Sequence, residues 1–155
     1  MNVLRDAFDL PDWPQFMQVT VRLVVAVAFG GLLGLQRERE GKAAGLRTHM
    51  LVALGAALFT IAPLEAGMSF ENLSRVVQGI ATGIGFLGAG TILKGREQHE
   101  IQGLTTAAGV WLTAAVGIAV GMGQLWIPAL GVILALIILS ALVYLQKAVK
   151  NNRDQ

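Results

Sequence analysis

The hydrophobic positions of this chain form five long apolar stretches separated by short polar segments. They cover residues 16–35, 48–64, 76–93, 105–122 and 125–145. A helix needs about 20 apolar residues to cross the hydrocarbon core of a bilayer, and each stretch reaches or approaches that length. The pattern therefore predicts an all-α membrane protein, a compact bundle of five transmembrane helices within residues 16–146.

Composition agrees with a membrane environment. The 155 residues are 54% apolar and 14% charged, and their mean hydropathy is +0.61, outside the usual range of soluble domains. The sequence contains no cysteine, which excludes disulfides and thiolate metal sites. The segments between the apolar stretches are too short to hold a second domain.

The two flanks of the bundle have different characters. Residues 1–15 contain Leu4, Ala7 and Phe8 beside Trp13, which predicts a short N-terminal interfacial helix with one apolar face. The same segment is acidic, the wrong charge for the start of a signal peptide. Residues 147–155 form a basic tail.

The distribution of lysine and arginine predicts the orientation. The first loop, the third loop and the C-terminal tail carry most of the basic residues, whereas the other side carries Arg5 and Arg75. Basic loops stay cytoplasmic. We therefore expect the N-terminus outside and the C-terminus in the cytoplasm.

Small residues recur at helical spacing and predict close helix packing, because small side chains let helix backbones approach each other in lipid. The third stretch carries two small faces, which predicts a place for this helix at the centre of the bundle. The alternative is that its glycine-rich part breaks and lines a solute path. The fifth stretch is bulky, which predicts a peripheral helix that faces lipid or a partner. The residues assigned to packing or path lining are Gly79, Gly83, Gly85, Gly88, Gly90, Gly109 and Gly117.

Two segments resemble each other. GLRTHMLVALGAA begins at Gly45 and GLTTAAGVWLTAA begins at Gly103, and each follows a charged loop and opens a helix. The similarity predicts a parallel repeat in which helices one and two match helices three and four. Chance similarity between two alanine-rich helices is the alternative.

Polar residues gather at the predicted cytoplasmic boundary. Exposed N–H groups at the starts of the second and fourth helices, capped by Thr48 and Thr105, would favour an anion such as phosphate or a lipid headgroup. The alternative is that these side chains anchor the topology and pair with Glu38 and Glu40. The candidate ligand-binding residues are Arg37, Glu38, Lys42, Arg47, Thr48, His49, Thr105 and Thr106.

Polar groups within the spans are few. Arg22 and Gln78 lie near the outer boundary, where Arg22 is expected to reach the surface and Gln78 to bond a neighbouring helix. The acidic residues lie outside the five spans, and the two histidines lie on different segments without companion ligands. We therefore predict no metal site, no cofactor and no nucleic-acid partner. Residues for nucleophilic or acid–base catalysis do not come together either, so we expect a protein that is not an enzyme.

Four motifs together resemble a known family. They are GLLGLQRE (31–38), KAAGLRTHMLVALGAALF (42–59), SRVVQGIATGIGFLGAGTIL (74–93) and GLTTAAGVWLTAAVGIAVGMG (103–123). Their order and spacing are similar to those of the MgtC/SapB family, which includes YhiD-like proteins. The resemblance implies a bacterial inner-membrane protein associated with magnesium limitation, virulence, and acid or phosphate physiology.

The chain departs from the family pattern at two places. Gln36 stands where the family commonly has glutamate, which puts a carboxylate role there in doubt. Longer members carry a C-terminal domain that resembles an ACT fold, so this chain is expected to be the short form without it.

Two functions follow as hypotheses. The first is a regulator of magnesium, ion or phosphate homeostasis that acts through a membrane partner in the lipid bilayer and forms homo-oligomers. The alternative is a small oligomeric ion or solute transporter or channel whose path is lined by the glycine-rich third helix. Flux through the purified protein separates them, because a regulator alone should move nothing.

Overall fold

A computed structural model describes residues 11–94 and 101–151 of the chain. These residues form five α-helices and one short pair of strands. The prediction of an all-α protein is confirmed, whereas the predicted interfacial helix around residues 4–8 and the tail end 152–155 lie outside the described residues. The helices are α1 (Trp13–Arg39), α2 (Leu46–Glu65), α3 (Phe70–Gly90), α4 (Leu104–Gly121) and α5 (Trp126–Asn151), and the strands are β1 (Leu93–Lys94) and β2 (Ile101–Gln102).

Capping side chains set where α1 and α3 begin. The Asp12 carboxylate accepts a hydrogen bond of 2.9 Å from the Gln15 backbone N–H, and the Ser69 hydroxyl accepts one of 3.4 Å from the Asn72 N–H. Both side chains satisfy N–H groups that have no partner inside the helix. These caps explain why both helices start before their apolar stretches.

The helix formed by the third apolar stretch ends before the stretch does. This helix ends at Gly90, and the Thr91 hydroxyl donates to the Gly88 carbonyl at 2.7 Å. Leu93 then pairs with Gln102 in an antiparallel ladder. The apolar character of residues 91–93 therefore belongs to a turn and a strand.

Three of the described helices, α1, α2 and α4, are long and apolar enough to cross a membrane. α3 begins with the polar residues Glu71 and Asn72, which shorten its apolar part. In α5 the part with described side chains, Trp126–Ser140, is apolar. The molecule is therefore a multi-helix membrane protein, and five crossings remain a prediction.

The core lies where α1, α2 and α4 meet. Ala53 and Ala57 of α2 are fully buried against Ala26 of α1 and Val120 of α4. α5 covers one side of this core with Val132 and Ala135, while its opposite face is exposed at Ile133, Leu134, Ile137 and Ile138. The predicted peripheral position of the fifth helix is confirmed.

The predicted central position of the third helix is wrong for the folded chain. Of the residues of α3, the structure buries Leu73 and Gly88, and one face with Ile80 and Ile84 packs against α2 and α4. The centre is held by α2 and α4 instead. The reason is that close backbone contacts are made by glycines of α1 and α4, and not by those of α3.

α2 and α4 run in the same direction and begin alike. Each has a glycine as its N-cap, Gly45 and Gly103, and this residue has no side chain of its own to cap the helix. Gly103 has φ +94°, and a β-carbon there would collide with the Thr91 carbonyl. Gly45 and Gly103 are the equivalent first residues of the two similar segments, which fits the predicted repeat without testing it.

Candidate functional site

Three polar side chains are buried where α1 ends and α2 and α4 begin, and we call this end of the bundle the polar end. Arg37 is 2% exposed, His49 is 0% and Thr106 is 4%. One comes from each of these three helices. Burying a charged guanidinium is costly unless it is paired and hydrogen-bonded, so its partners decide what this junction can do.

One amino group of the Arg37 guanidinium is paired with a carboxylate, but its other N–H groups are incompletely hydrogen-bonded. Its Nη1 donates to Oε2 of Glu40 at 3.0 Å, and its Nη2 lies 3.5 Å from Oγ1 of Thr106. Its Nε has no partner among the described residues. Gln36 donates from Nε2 to the other Glu40 oxygen, Oε1, at 2.5 Å. The Glu40 carboxylate is thus held between two side-chain donors.

His49 is the second buried polar group at this junction. Its Nδ1 lies 2.9 Å from the Gly45 carbonyl oxygen, and because a carbonyl accepts, Nδ1 carries the proton. Its Nε2 has no partner among the described residues and lies 3.5 Å from where a β-carbon on Gly109 would be.

Glu38 caps the second helix. Its Oε2 accepts a hydrogen bond of 2.8 Å from the backbone N–H of Leu46, the first residue of α2. A carboxylate at a helix N-terminus is favourable because it meets free N–H groups and the positive end of the helix dipole. The predicted capping by Thr48 and Thr105 is wrong, since both residues lie inside their helices and glycines occupy the N-cap positions.

The structure divides the predicted ligand face into two groups. Arg37, His49 and Thr106 come together inside the bundle. Gln36 and Glu40 belong with them, although the sequence-based site did not include them. Their signal was available, because Glu40 follows Gln36 by four residues and Arg37 by three, which puts all three on one helix face. The remaining predicted residues are exposed on the surface of the same end: Glu38, Lys42, Arg47, Thr48 and Thr105.

Glycines of α1 and α4 are the points of closest helix approach. A β-carbon at Gly30 would lie 2.6 Å from the His49 carbonyl oxygen, and one at Gly34 would lie 2.7 Å from the Cα of Leu46. A β-carbon at Gly117 would collide with the Ala53 carbonyl. These helices therefore pack backbone against backbone.

The glycines of α3 behave differently. Gly88 is buried, and a β-carbon there would make ordinary contacts of 3.5 Å and more with Ala107. At Gly79, Gly83, Gly85 and Gly90 a β-carbon would meet no described atom within 4 Å. Gly79 and Gly83 line an open groove of about 710 Å³ between α2 and α3, which we call the α3 groove. Its lining is Leu51, Val52, Gly55, Ala56, Phe59, Val76, Gly79, Ile80, Gly83, Ile84, Leu87 and Ala114.

The opposite end of the bundle is tied by side chains of α1. Gln15 donates to Glu65 at 2.6 Å, which joins the start of α1 to the end of α2. Arg22 donates to the Gly121 carbonyl at 3.4 Å. The guanidinium of Arg22, which was expected to extend to the surface, is part-buried and meets the C-terminus of α4, where free carbonyls attract a cation.

Metal ligands do not cluster in the described part of the chain, where no group of three His, Cys, Asp or Glu side chains is placed to hold an ion.

The fold and the buried junction define a multi-helix integral membrane protein with a polar centre at one end. The model of the MgtC family matches residues 23–148, and the chain belongs to this family. It is a multi-pass protein of the bacterial inner membrane.

Curated relatives agree with this assignment. SrpB of Synechococcus elongatus is 41% identical over 147 residues, which cover 88% of this chain and 79% of SrpB. YhiD of Escherichia coli, named as a candidate magnesium transporter, is 39% identical over 77% of this chain. MgtC of Salmonella typhimurium is 41% identical over 67% of this chain. The matches span 58% of YhiD and 43% of MgtC. No solved structure matches the chain.

Proposed function

We propose that this chain is a non-enzymatic membrane protein that acts in magnesium or phosphate homeostasis by regulating a membrane partner. Membership of the MgtC family supports a role in ion physiology, and the name of YhiD supports magnesium as the ion. The structural support for a partner comes from α3.

The observation that carries the proposal is the uncovered glycine face of α3. Glycine stripes on α1 and α4 are in close backbone contact: a β-carbon would lie 2.6 Å from a carbonyl oxygen at Gly30 and 3.0 Å from one at Gly121. Gly79 and Gly83 have the same spacing, yet the described chain leaves them open. Lipid does not require glycine, whereas a helix that approaches closely does. A helix of a partner protein therefore suits the α3 groove.

The chemistry of the α3 groove favours a helix over an ion. Its lining consists of aliphatic, aromatic and glycine residues. Magnesium is bound through carboxylate and water oxygens in an octahedral shell, and such groups are expensive to bury in a membrane without polar partners. A small transporter with α3 along its path is the alternative, and homo-oligomers would have to supply the polar lining.

The orientation belongs to the same proposal. The polar end carries the exposed cations Lys42 and Arg47, and basic residues near span ends stay in the cytoplasm. Five crossings would put the N-terminus outside and the basic tail inside. The buried Arg37 junction would then face the cytoplasm, together with a partner's cytoplasmic parts.

Site-specific crosslinking in native membranes tests the partner. Because the chain contains no cysteine, Gly83→Cys can be labelled alone with a thiol-reactive photo-crosslinker. Gly131→Cys on α5 is the matched control, since a β-carbon at either glycine meets no described atom within 4 Å. We expect an adduct with another membrane protein at Gly83→Cys that Gly131→Cys does not give. Equal adducts at both positions, or a self-adduct alone, would count against a partner.

Flux separates the proposal from the transport alternative. Purified protein in liposomes, with Arg47→Ala alongside, is assayed for movement of magnesium, phosphate and protons. We expect no flux with either protein. Flux that falls in Arg47→Ala would overturn the proposal in favour of a transporter and place Arg47 on or near its route.

A further inference from the structure

We propose that the buried guanidinium of Arg37 is part of a binding site for a small oxyanion, and that the Glu40 carboxylate occupies this site in the ligand-free chain. The ligand class is a phosphate group, either free inorganic phosphate or the headgroup of an anionic lipid. The inference is independent of the proposed partner, because it rests on the polar end of the bundle and not on α3.

The donors at this position are arranged around a carboxylate. Each Glu40 oxygen accepts from a different side chain, Oε1 from Gln36 at 2.5 Å and Oε2 from Arg37 at 3.0 Å. Donors from two side chains thus converge on the two oxygens of one group, and one of them is arginine, the side chain best suited to binding carboxylates and phosphates. A phosphate oxygen pair can therefore take the place of the Glu40 oxygens.

The unused donors of Arg37 point to a ligand with more acceptors than a carboxylate. A guanidinium has five N–H donors, yet Nε is buried without a partner, and Nη2 has only the 3.5 Å contact with Thr106. A buried donor without an acceptor is destabilising. Phosphate brings additional oxygens, so it can satisfy donors that Glu40 leaves free.

The position of Glu40 allows the exchange. It is the C-cap residue of α1, its side chain is 22% exposed, and Gly41 follows with φ +66° and no described atom near its β-carbon position. The carboxylate can therefore swing to solvent without disturbing the helix. The exposed cations Lys42 and Arg47 at this end raise the local concentration of anions.

Phosphate binding to the purified full-length protein in phosphatidylcholine nanodiscs, at constant ionic strength, tests the site. Glu40→Gln removes the internal competitor and its charge, so we expect phosphate to bind at least about tenfold more tightly. Arg37→Lys keeps the charge but loses the planar fork, and should bind at least about tenfold more weakly than the wild type. Thermal unfolding of each variant confirms that it is folded.

Exposed cations provide the matched control. Lys42→Gln and Arg47→Gln should change phosphate affinity by no more than about twofold, because their effect is long-range and screened. Absence of binding by both the wild type and Glu40→Gln would overturn the inference. So would a loss in Arg47→Gln as large as that in Arg37→Lys, since it would mean attraction to the surface alone.

The source of the phosphate group is decided with lipid composition. Phosphatidylglycerol nanodiscs that reduce phosphate binding by Glu40→Gln competitively would identify the lipid headgroup as the ligand. Unchanged binding in these nanodiscs would identify free phosphate. Either result supports the oxyanion site, and neither depends on crosslinking at α3.

Discussion

Replacing Gly30 with alanine tests the backbone packing at the centre of the bundle. The new β-carbon would lie 2.6 Å from the His49 carbonyl oxygen and 2.8 Å from the Ala53 β-carbon. Favourable carbon contacts lie at about 3.5–4.0 Å, so α1 and α2 must separate by roughly 1 Å. The obstacle is backbone of α2, which no change of side-chain rotamer can relieve.

The magnitude follows from two opposing effects. Overpacking of this kind costs about 1–3 kcal/mol, and glycine to alanine in a helix interior returns up to about 1 kcal/mol. We expect a net loss of about 1–2 kcal/mol in the free energy of unfolding. The measurement is reversible unfolding by SDS in mixed micelles, followed by circular dichroism.

Gly79→Ala is the matched control. A β-carbon at this position meets no described atom within 4 Å, so its stability should stay within about 0.5 kcal/mol of the wild type or rise. Equal destabilisation by the two substitutions would refute the reasoning, because it would mean that glycine itself matters in these helices and that the α1–α2 contact does not.

Substitutions at two further positions test the ends of the helices. Gly103→Ala should lower the free energy of unfolding by about 2–4 kcal/mol, because a β-carbon is disfavoured at φ +94° and collides with the Thr91 carbonyl. A loss below about 0.5 kcal/mol in the same unfolding assay would contradict this expectation. Arg22→Met should lower stability by about 0.3–1 kcal/mol and Arg22→Lys by less, since a lysine cation can still meet the free carbonyls near Gly121. Equal losses in these two variants would show that the packing of the stem, and not the charge, stabilises this contact.

Much of the fold was predictable from the sequence because apolar length and small-residue spacing are local properties. The five helices fall on the five apolar stretches, and the small-residue stripes of α1, with Gly30, and of α4, with Gly117, do mark close contacts. The place of α3 was not predictable by the same rule. A stripe of glycines shows that a helix can be approached closely, but not whether the neighbour belongs to the same chain.

The candidate site was predictable in its location but not in its members. Charge and position at the membrane boundary located the polar end. Which of its residues are buried and which are exposed became known only from the structure. Arg37 and Arg47 look alike in sequence, yet the first is 2% exposed and the second lies on the surface. The difference depends on helix rotation and on the approach of α4, which brings Thr106 to Arg37 across a sequence separation of 69 residues.

The close contacts of α1, α2 and α4 have a mechanical consequence. At Gly30 and Gly117 a backbone carbonyl of α2 occupies the space that a side chain would fill. These contacts therefore resist sliding of the three helices along each other. Among the described residues, α3 has no comparable contact, since the tightest one at its glycines, at Gly88, is an ordinary one of 3.5 Å. The glycine contacts therefore lock α1, α2 and α4 against sliding, whereas the glycines of α3 set no such limit on how that helix lies along its neighbours.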